Sequence, residues 1–175
     1  MVDDFGGELT HGADVLDAGC GTGRMIPLLR EGGRRVSGVD QSPGMLAQAR
    51  MRHWDVALAV GSLAALPFAE ASFDGILAWY SIIHTPPHEL GSVFAEFRRV
   101  LRTGGTVLLG YQAGIGDRHI ARGYGHELDL PAFLHHTPSV EAMLAAAGFV
   151  TRVKLDRGPS GHEKHAQGFV LAQRN

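Results

Sequence analysis

The sequence predicts an α/β fold, a doubly wound and mostly parallel β-sheet between two layers of helices. Short apolar runs typical of buried strands alternate along the chain with segments whose apolar residues recur every three or four positions. Near the carboxyl terminus, two strand-like runs joined by a turn rich in glycine, proline and serine predict an antiparallel edge. Right-handed crossovers in such a sheet place a ligand at the carboxyl ends of the strands.

Each element in the first half of the chain has a local signal. A helix is predicted over residues 22–30. Gly32 follows it and ends it, because glycine readily adopts the left-handed conformation. A second helix is predicted over 43–52, with the Ser42 hydroxyl as its N-cap and Pro43 as its first residue. The apolar runs between and after these helices predict strands at residues 13–18, 35–40, 55–60 and 75–79.

The second half continues the alternation. Pro86 and Pro87 open a helix with an apolar stripe formed by Leu90, Val93, Phe94, Phe97, Val100 and Leu101. A turn at Thr103-Gly104-Gly105 leads into a fifth strand over 106–111, and a helix follows from Thr137 to Ala147. The closing strands are predicted at 149–155 and 167–173, whereas residues 112–137 carry no regular pattern.

Length, charge and cysteine content limit the function classes. The 175 residues suit one domain, residues 1–175, with a substantial core. Acidic and basic side chains number 18 and 16, and no like-charge run exceeds two residues, which argues against nucleic acid or an anionic membrane as a partner. One cysteine, no signal-peptide pattern and no long apolar run predict a soluble, cytoplasmic protein.

The segment VLDAGCGTG, residues 15–23, lies where this fold places a ligand. Glycine lets the backbone approach a ligand closely, and a helix start offers unpaired N–H groups to an anion. Asp40 ends the second strand 21 residues after Gly19, where a carboxylate can accept both hydroxyls of a ribose. The pattern predicts a nucleotide-type cofactor. Gly23 comes one residue too early for the dinucleotide fingerprint, which weakens the case for NAD and leaves it open.

The same segment resembles the first motif of class I S-adenosylmethionine-dependent methyltransferases, in their small-molecule, methyltransferase-11-like group. Further segments resemble this family in order along the chain: VSGVD (36–40), DQSPGMLAQAR (40–50), GSLAALPFAEASFDGILAWYSIIH (61–84), EFRRVLRTGGTVLL (96–109) and AAAGFV (145–150). The resemblance implies a Rossmann-like, three-layered fold with a seven-stranded sheet of order 3-2-1-4-5-7-6, whose last two strands form an antiparallel hairpin. It also implies S-adenosyl-L-methionine as the cofactor.

Carried over by position, the resemblance implies three groups of cofactor-binding residues. Those around the methionine part are Asp17, Gly19, Gly21, Thr22 and Arg24, the last of which would pair with its carboxylate. Those around the ribose and adenine are Asp40, Gln41, Ser62 and Leu63. Those that border the sulfonium, where aromatic faces stabilise a cation, are Ala78, Trp79 and Tyr80. Many family members carry an aspartate where this chain has Ser62, so the adenine contact differs here.

The implied reaction is an in-line displacement, in which the enzyme aligns the reactants and excludes water. A general base is needed only if the acceptor must lose a proton. His84 is the candidate base, because an imidazole titrates near neutrality, and Tyr80 is the candidate for orienting the acceptor. The alternative is that His84 only packs in the turn before Pro86. No metal is expected, because the adjacent His135 and His136 diverge and no cysteine cluster accompanies the histidines.

Two segments set expectations about the acceptor. Residues 114–136, with His119, Tyr124, His126 and Glu127, lie where the family places variable substrate-covering elements, so the segment near 112–137 is expected to shape acceptor choice. Only 14 residues precede Val15, which implies a shortened N-terminal cap, an open pocket or a homodimer that covers it. The leading hypothesis is methyl transfer to an oxygen or nitrogen of a small-molecule acceptor. The alternatives are an NAD-dependent oxidoreductase and a non-catalytic S-adenosylmethionine-binding protein.

Overall fold

The main sheet of the protein lies between helices on both faces. The computed structural model describes the backbone of residues 1–123 and 126–175 and the side chains outside 121–128. The helices are α1 (Val2–Glu8), α2 (Ile26–Arg30), α3 (Pro43–Arg52), α4 (Leu90–Val100) and α5 (Thr137–Ala146). The strands are β1 (Asp14–Ala18), β2 (Arg35–Asp40), β3 (Ala57–Val60), β4 (Phe73–Trp79), β5 (Leu101–Ala113), β6 (Asp117–Gly123), β7 (His126–Phe133), β8 (Phe149–Arg157) and β9 (Ala166–Arg174).

The strand order of the sheet confirms the predicted fold. Over the described residues, seven strands pair in the order β3-β2-β1-β4-β5-β9-β8. The first five run parallel, and β9 pairs antiparallel with both β5 and β8. The arrangement is that of the predicted order 3-2-1-4-5-7-6. The closing strands are the eighth and ninth in the chain because an additional hairpin precedes them.

The core follows from the alternation of side chains along each strand. Val15 of β1 packs in one apolar cluster with Phe5 of α1 and Ile26 of α2. The next residue, Leu16, packs in the other cluster with Phe94 of α4. The predicted apolar stripe of α4 is buried along its length, so the helix is held by packing.

The first helix after the glycine-rich segment is shorter than predicted. It was expected to begin at Thr22, but α2 begins at Ile26. Gly21 and Gly23 adopt φ angles of 55° and 79°, in the left-handed region that a right-handed helix excludes. The N–H groups of this segment therefore belong to a turn and not to a helix start.

The segment expected to be irregular forms a hairpin. Strands β6 and β7 pair antiparallel, from Asp117 opposite Phe133 to Gly123 opposite His126, and form a separate two-stranded sheet. The N-terminal helix α1 lies away from the carboxyl ends of the strands. Its Phe5 ring is next to Gly75, near the start of β4, where an added Cβ atom would lie 3.0 Å from the ring. No helix in the part of the chain described here is long and apolar enough to cross a membrane.

Candidate functional site

The site is built where the segments after β1, β2 and β4 meet. The amide groups of Gly19 and Cys20 both donate to the carbonyl oxygen of Val39, at 2.8 and 2.9 Å. A Cβ atom on Gly19 would lie 2.2 Å from the Cβ atom of Ser81, which follows β4. Because this separation excludes any side chain, glycine is required for the two segments to approach each other.

The glycine-rich turn presents bare backbone to open space at Gly21. A Cβ atom on this residue would meet no atom within 4 Å. Its N–H donates to Oδ2 of Asp40 at 2.9 Å, and Oδ1 of Asp40 accepts from the Ser42 amide at 2.8 Å. The Asp40 carboxylate thus joins the glycine-rich turn to the end of β2. A carboxylate has about four acceptor positions, so each oxygen can still accept from a ligand hydroxyl.

Asp17 brings a buried carboxyl group to the same turn. The residue is 2% exposed, and among the described residues its Oδ2 atom has no hydrogen-bond partner. Burial raises the pKa of Asp17 to about 7, with Arg24 opposing that rise and Asp40 adding to it. A buried acceptor without a donor is costly, so this oxygen is prepared to accept from a ligand.

Cys20 plays no chemical part in this turn. It is 5% exposed and would contact any side chain at Gly38 of the neighbouring strand. Burial, with the charges of Asp17 and Asp40, raises the pKa of the thiol to about 12. The group therefore stays a protonated thiol at neutral pH, and the residue packs the turn against β2.

Tyr80 follows β4 in an unusual backbone conformation. Its φ angle is 58°, which costs a non-glycine residue about 1–2 kcal/mol, and its N–H donates to the Gly110 carbonyl at 2.7 Å. The ring of Trp79 lies edge-on to Tyr80 at 5.4 Å and stacks on Phe169, also at 5.4 Å. Burial is the main cause that raises the pKa of Tyr80, followed by the charge of Glu163.

A cleft of about 530 Å³ opens beside Tyr80. It is lined by Arg24, by Arg118 of β6, by residues 162–165 between β8 and β9, and by Gln112 near the end of β5. Two predicted residues, Arg24 and Tyr80, are thus brought together in one space.

Other cofactor residues predicted from the sequence lie in segments after β2 and β3 and within β4. Ser62 uses its Oγ to accept from the Ala64 amide at 3.2 Å, and Leu63 is 7% exposed. Ala78 is fully buried in the sheet, whereas Gln41 is exposed. The adenine contact expected at Ser62 therefore competes with a local turn.

His84 does not line the cleft, as far as the described residues define it. It lies in a short 3₁₀ turn after β4, and its Nδ1 atom is 2.9 Å from the carbonyl oxygen of Pro131 in β7. A carbonyl only accepts, so Nδ1 carries the proton and donates it. The ring ties the β6–β7 hairpin to the end of β4.

His119 and His135, two histidines of the variable segment, make separate contacts. His119 contacts Asp129 at 2.7 Å on the exposed hairpin. The ring of His135 is buried against the Ile82 carbonyl at 3.0 Å, and burial lowers its pKa. Tyr124 and the side chains of His126 and Glu127, also singled out in the sequence, lie outside the described residues. Over the ranges that are described, no three His, Cys, Asp or Glu residues are grouped to hold a metal ion.

Sequence reasoning missed Arg118 and Gln112. Oε1 of Gln112 accepts from Nη2 and Nε of Arg118, at 2.8 and 3.2 Å. Only the pairing of β5 with β9 and the presence of β6 bring these residues to the cleft. A polar residue at the end of a parallel strand was the one signal available for Gln112.

Comparison with known proteins identifies the family. The model of a methyltransferase domain family matches residues 15–105. A malonyl-[acyl-carrier protein] O-methyltransferase of Serratia marcescens is 28% identical to this chain. The match covers 86% of this chain and 68% of that protein. In the first such relatives, the matched segment spans between 35% and 68% of the relative's length.

Solved structures extend the likeness to nearly the whole chain. A S-adenosylmethionine-dependent methyltransferase from Methanosarcina mazei has a TM-score of 0.85 at 18% identity, covering 96% of this chain and 95% of that one, and shows the shared fold. A second similar structure is the 1,6-didemethyltoxoflavin-N1-methyltransferase of Burkholderia thailandensis, solved with 1,6-didemethyltoxoflavin and S-adenosylhomocysteine. It has a TM-score of 0.79 at 25% identity, and the match covers 99% of this chain and 76% of that one.

These matches decide between the two cofactors that the glycine-rich segment left open. The matched region contains that segment, Asp40 and the whole of β4. The chain belongs to the methyltransferase domain family, and it is a class I methyltransferase whose cofactor is S-adenosylmethionine.

Proposed function

We propose that this chain transfers a methyl group to an oxygen or nitrogen atom of a small-molecule acceptor. The observation that carries the proposal is the link between the glycine-rich turn and the cleft. Gly21, whose N–H is bonded to Asp40, precedes Arg24 by three residues, and Arg24 lines the cleft together with Tyr80. The turn suits a nucleoside, and the cleft suits an acceptor.

The residues of the glycine-rich turn fit the amino-acid part of the cofactor. Oδ2 of Asp17 is buried and has no donor among the described residues, and an ammonium group would supply one. Arg24 would pair with the carboxylate, and the backbone of Gly19, Gly21 and Thr22 would line the contact. The left-handed conformation of Gly21 keeps this backbone clear of side chains.

The end of β2 fits the nucleoside. Both oxygens of Asp40 already accept backbone N–H groups, yet each retains capacity for a ribose hydroxyl. Gln41, Ser62 and Leu63 would lie around the adenine. Because the Ser62 oxygen accepts from Ala64, we propose that adenine selection rests more on the Leu63 amide.

The bound cofactor supplies a methyl group activated by a positively charged sulfur. The chain must place the acceptor in line and keep water out. Ala78, Trp79 and Tyr80 border this position, and the aromatic rings favour a nearby cation. Burial of Tyr80 keeps its phenol protonated at neutral pH, so that it orients the acceptor as a hydrogen-bond donor.

We assign His84 a positioning role. Its Nδ1 proton is committed to Pro131, and the ring anchors the hairpin that covers the acceptor side. A base at this residue would require the hairpin contact to change. For an acceptor whose lone pair is free at neutral pH, such as a carboxylate or an amine whose ammonium form has a low pKa, methyl transfer needs no base before the displacement.

Helix α1 does not line the cleft, as the described residues define it. Its buried Phe5 packs at the amino end of the sheet, beside Gly75. We propose that a second copy of the chain covers the cleft in a homodimer. Light scattering with S-adenosylhomocysteine tests this, and a strictly monomeric complex would contradict it.

Transfer of a radioactive methyl group from S-adenosylmethionine to a panel of carboxylates, phenols and amines tests the proposed reaction. We expect a labelled small-molecule product whose formation S-adenosylhomocysteine inhibits. Binding of S-adenosylhomocysteine without transfer to any acceptor would favour the non-catalytic alternative.

A further inference from the structure

Arg118 lines the cleft, and its side chain is oriented by an uncharged partner. This half-buried residue donates from Nη2 and Nε to the amide oxygen of Gln112, at 2.8 and 3.2 Å. An arginine has five N–H donors, so others remain for a ligand. The amide is uncharged, and the guanidinium therefore keeps its full positive charge while its orientation is fixed.

Gln112 is held by the pairing of β5 with its neighbouring strand. Gln112 lies opposite Gln167 in the antiparallel pairing of β5 with β9. Gln167 is 2% exposed, and its Nε2 donates to the His165 carbonyl at 2.7 Å. Two adjacent strands of the main sheet thus position the amide that orients Arg118.

The other charges of the cleft add to its positive potential. Arg24 and Lys164 line it, and in the described part of the chain neither they nor Arg118 form an ion pair. Glu163 is the one acidic residue on the lining among those that the structure describes, and Arg157 binds both of its oxygens, at 2.5 and 2.7 Å. Its charge is therefore compensated outside the cleft, and the cleft is suited to an anion.

We propose that Arg118 binds an anionic group of the methyl acceptor, so that the acceptor is a small carboxylate or phosphate ester. The inference rests on the proposed function, in which Arg24 serves the carboxylate of the cofactor. Arg118 then remains as the guanidinium that faces the acceptor, and its planar donors match a carboxylate or phosphate. Gln112 is its positioning residue.

Calorimetry on the full chain saturated with S-adenosylhomocysteine tests this with three probes: benzoate, phenyl phosphate and neutral benzamide. We expect at least one anion to bind about tenfold more tightly than benzamide, and the preferred anion separates a carboxylate from a phosphate acceptor. Arg118→Gln should remove the preference and leave the affinity for S-adenosylhomocysteine within about twofold. Arg152→Gln, on exposed strand β8, is the matched control and should change neither.

Gln112→Glu gives an independent test that does not depend on losing contacts. It preserves the acceptor for Arg118 but adds a compensating negative charge, so anion binding should fall as in Arg118→Gln while benzamide binding is kept. Binding of both anions no tighter than that of benzamide, no binding of any probe, or full anion binding in both variants would overturn the inference alone. Failure of the wild-type chain to bind S-adenosylhomocysteine would instead overturn the proposed function, and this inference with it.

Discussion

Replacing Asp40 by alanine tests the cofactor site at its best-defined contact. The side chain accepts from the Gly21 amide at 2.9 Å and the Ser42 amide at 2.8 Å. Its removal leaves the turn unsupported and takes away the proposed acceptor for the ribose hydroxyls. We expect the affinity for S-adenosylhomocysteine to fall by about 1–3 kcal/mol, or about 5- to 150-fold, measured by calorimetry.

A double-mutant cycle separates the ribose contact from the support of the turn. The second ligand is the 2′-deoxyribose analogue of S-adenosylhomocysteine. The wild-type chain should lose affinity for it, whereas Asp40→Ala should bind both ligands nearly equally. Asp14→Ala is a matched control, since this carboxylate lies at the opposite end of β1 and pairs with Arg35 and Arg102. Unchanged affinity in a folded Asp40→Ala variant would refute the reasoning.

Three further predictions concern the turn and the hairpin. The folded protein holds the Asp17 proton up to about pH 7, whereas the unfolded chain releases it near 3.8, so the stability of the free protein should fall between these values as pH rises. Asp17→Asn should remove this fall in urea titrations while weakening S-adenosylhomocysteine; an unchanged pH dependence would contradict the assignment. Gly19→Ala should destabilise by about 2–4 kcal/mol, because its Cβ would overlap Ser81, whereas Gly91→Ala in α4 should stabilise by about 0.5–1 kcal/mol. His84→Ala should raise the acceptor KM with little change in the pH profile of kcat; loss of a titrating limb would identify a base instead.

Local signals in the sequence were sufficient for much of the fold. The Ser42 hydroxyl caps α3 by accepting from the Met45 amide at 3.2 Å, and Pro43 is its first residue, as predicted. Such caps depend on a few neighbouring residues, which is why a sequence reveals them. The start of α2 was misjudged because it depends on the conformations of Gly21 and Gly23, and either conformation is accessible to glycine.

The acceptor side required long-range pairing that no local pattern encodes. The hairpin β6–β7 carries Pro131 and lacks a clear alternation of apolar residues, so it was expected to be irregular. The contact between Gln112 and Arg118 exists only after β5, β6 and β9 are assembled. The contact of the glycine-rich turn with Asp40 could be predicted because both follow neighbouring parallel strands, whereas the proposed acceptor site depends on how separate segments meet.

Titration of the wild-type chain with S-adenosylhomocysteine and with NAD, each followed by calorimetry, tests the central claim most directly. S-adenosylhomocysteine should bind with one site per chain and compete with S-adenosylmethionine, and NAD should give no binding heat. Binding of NAD in the absence of any binding of S-adenosylhomocysteine would contradict the account.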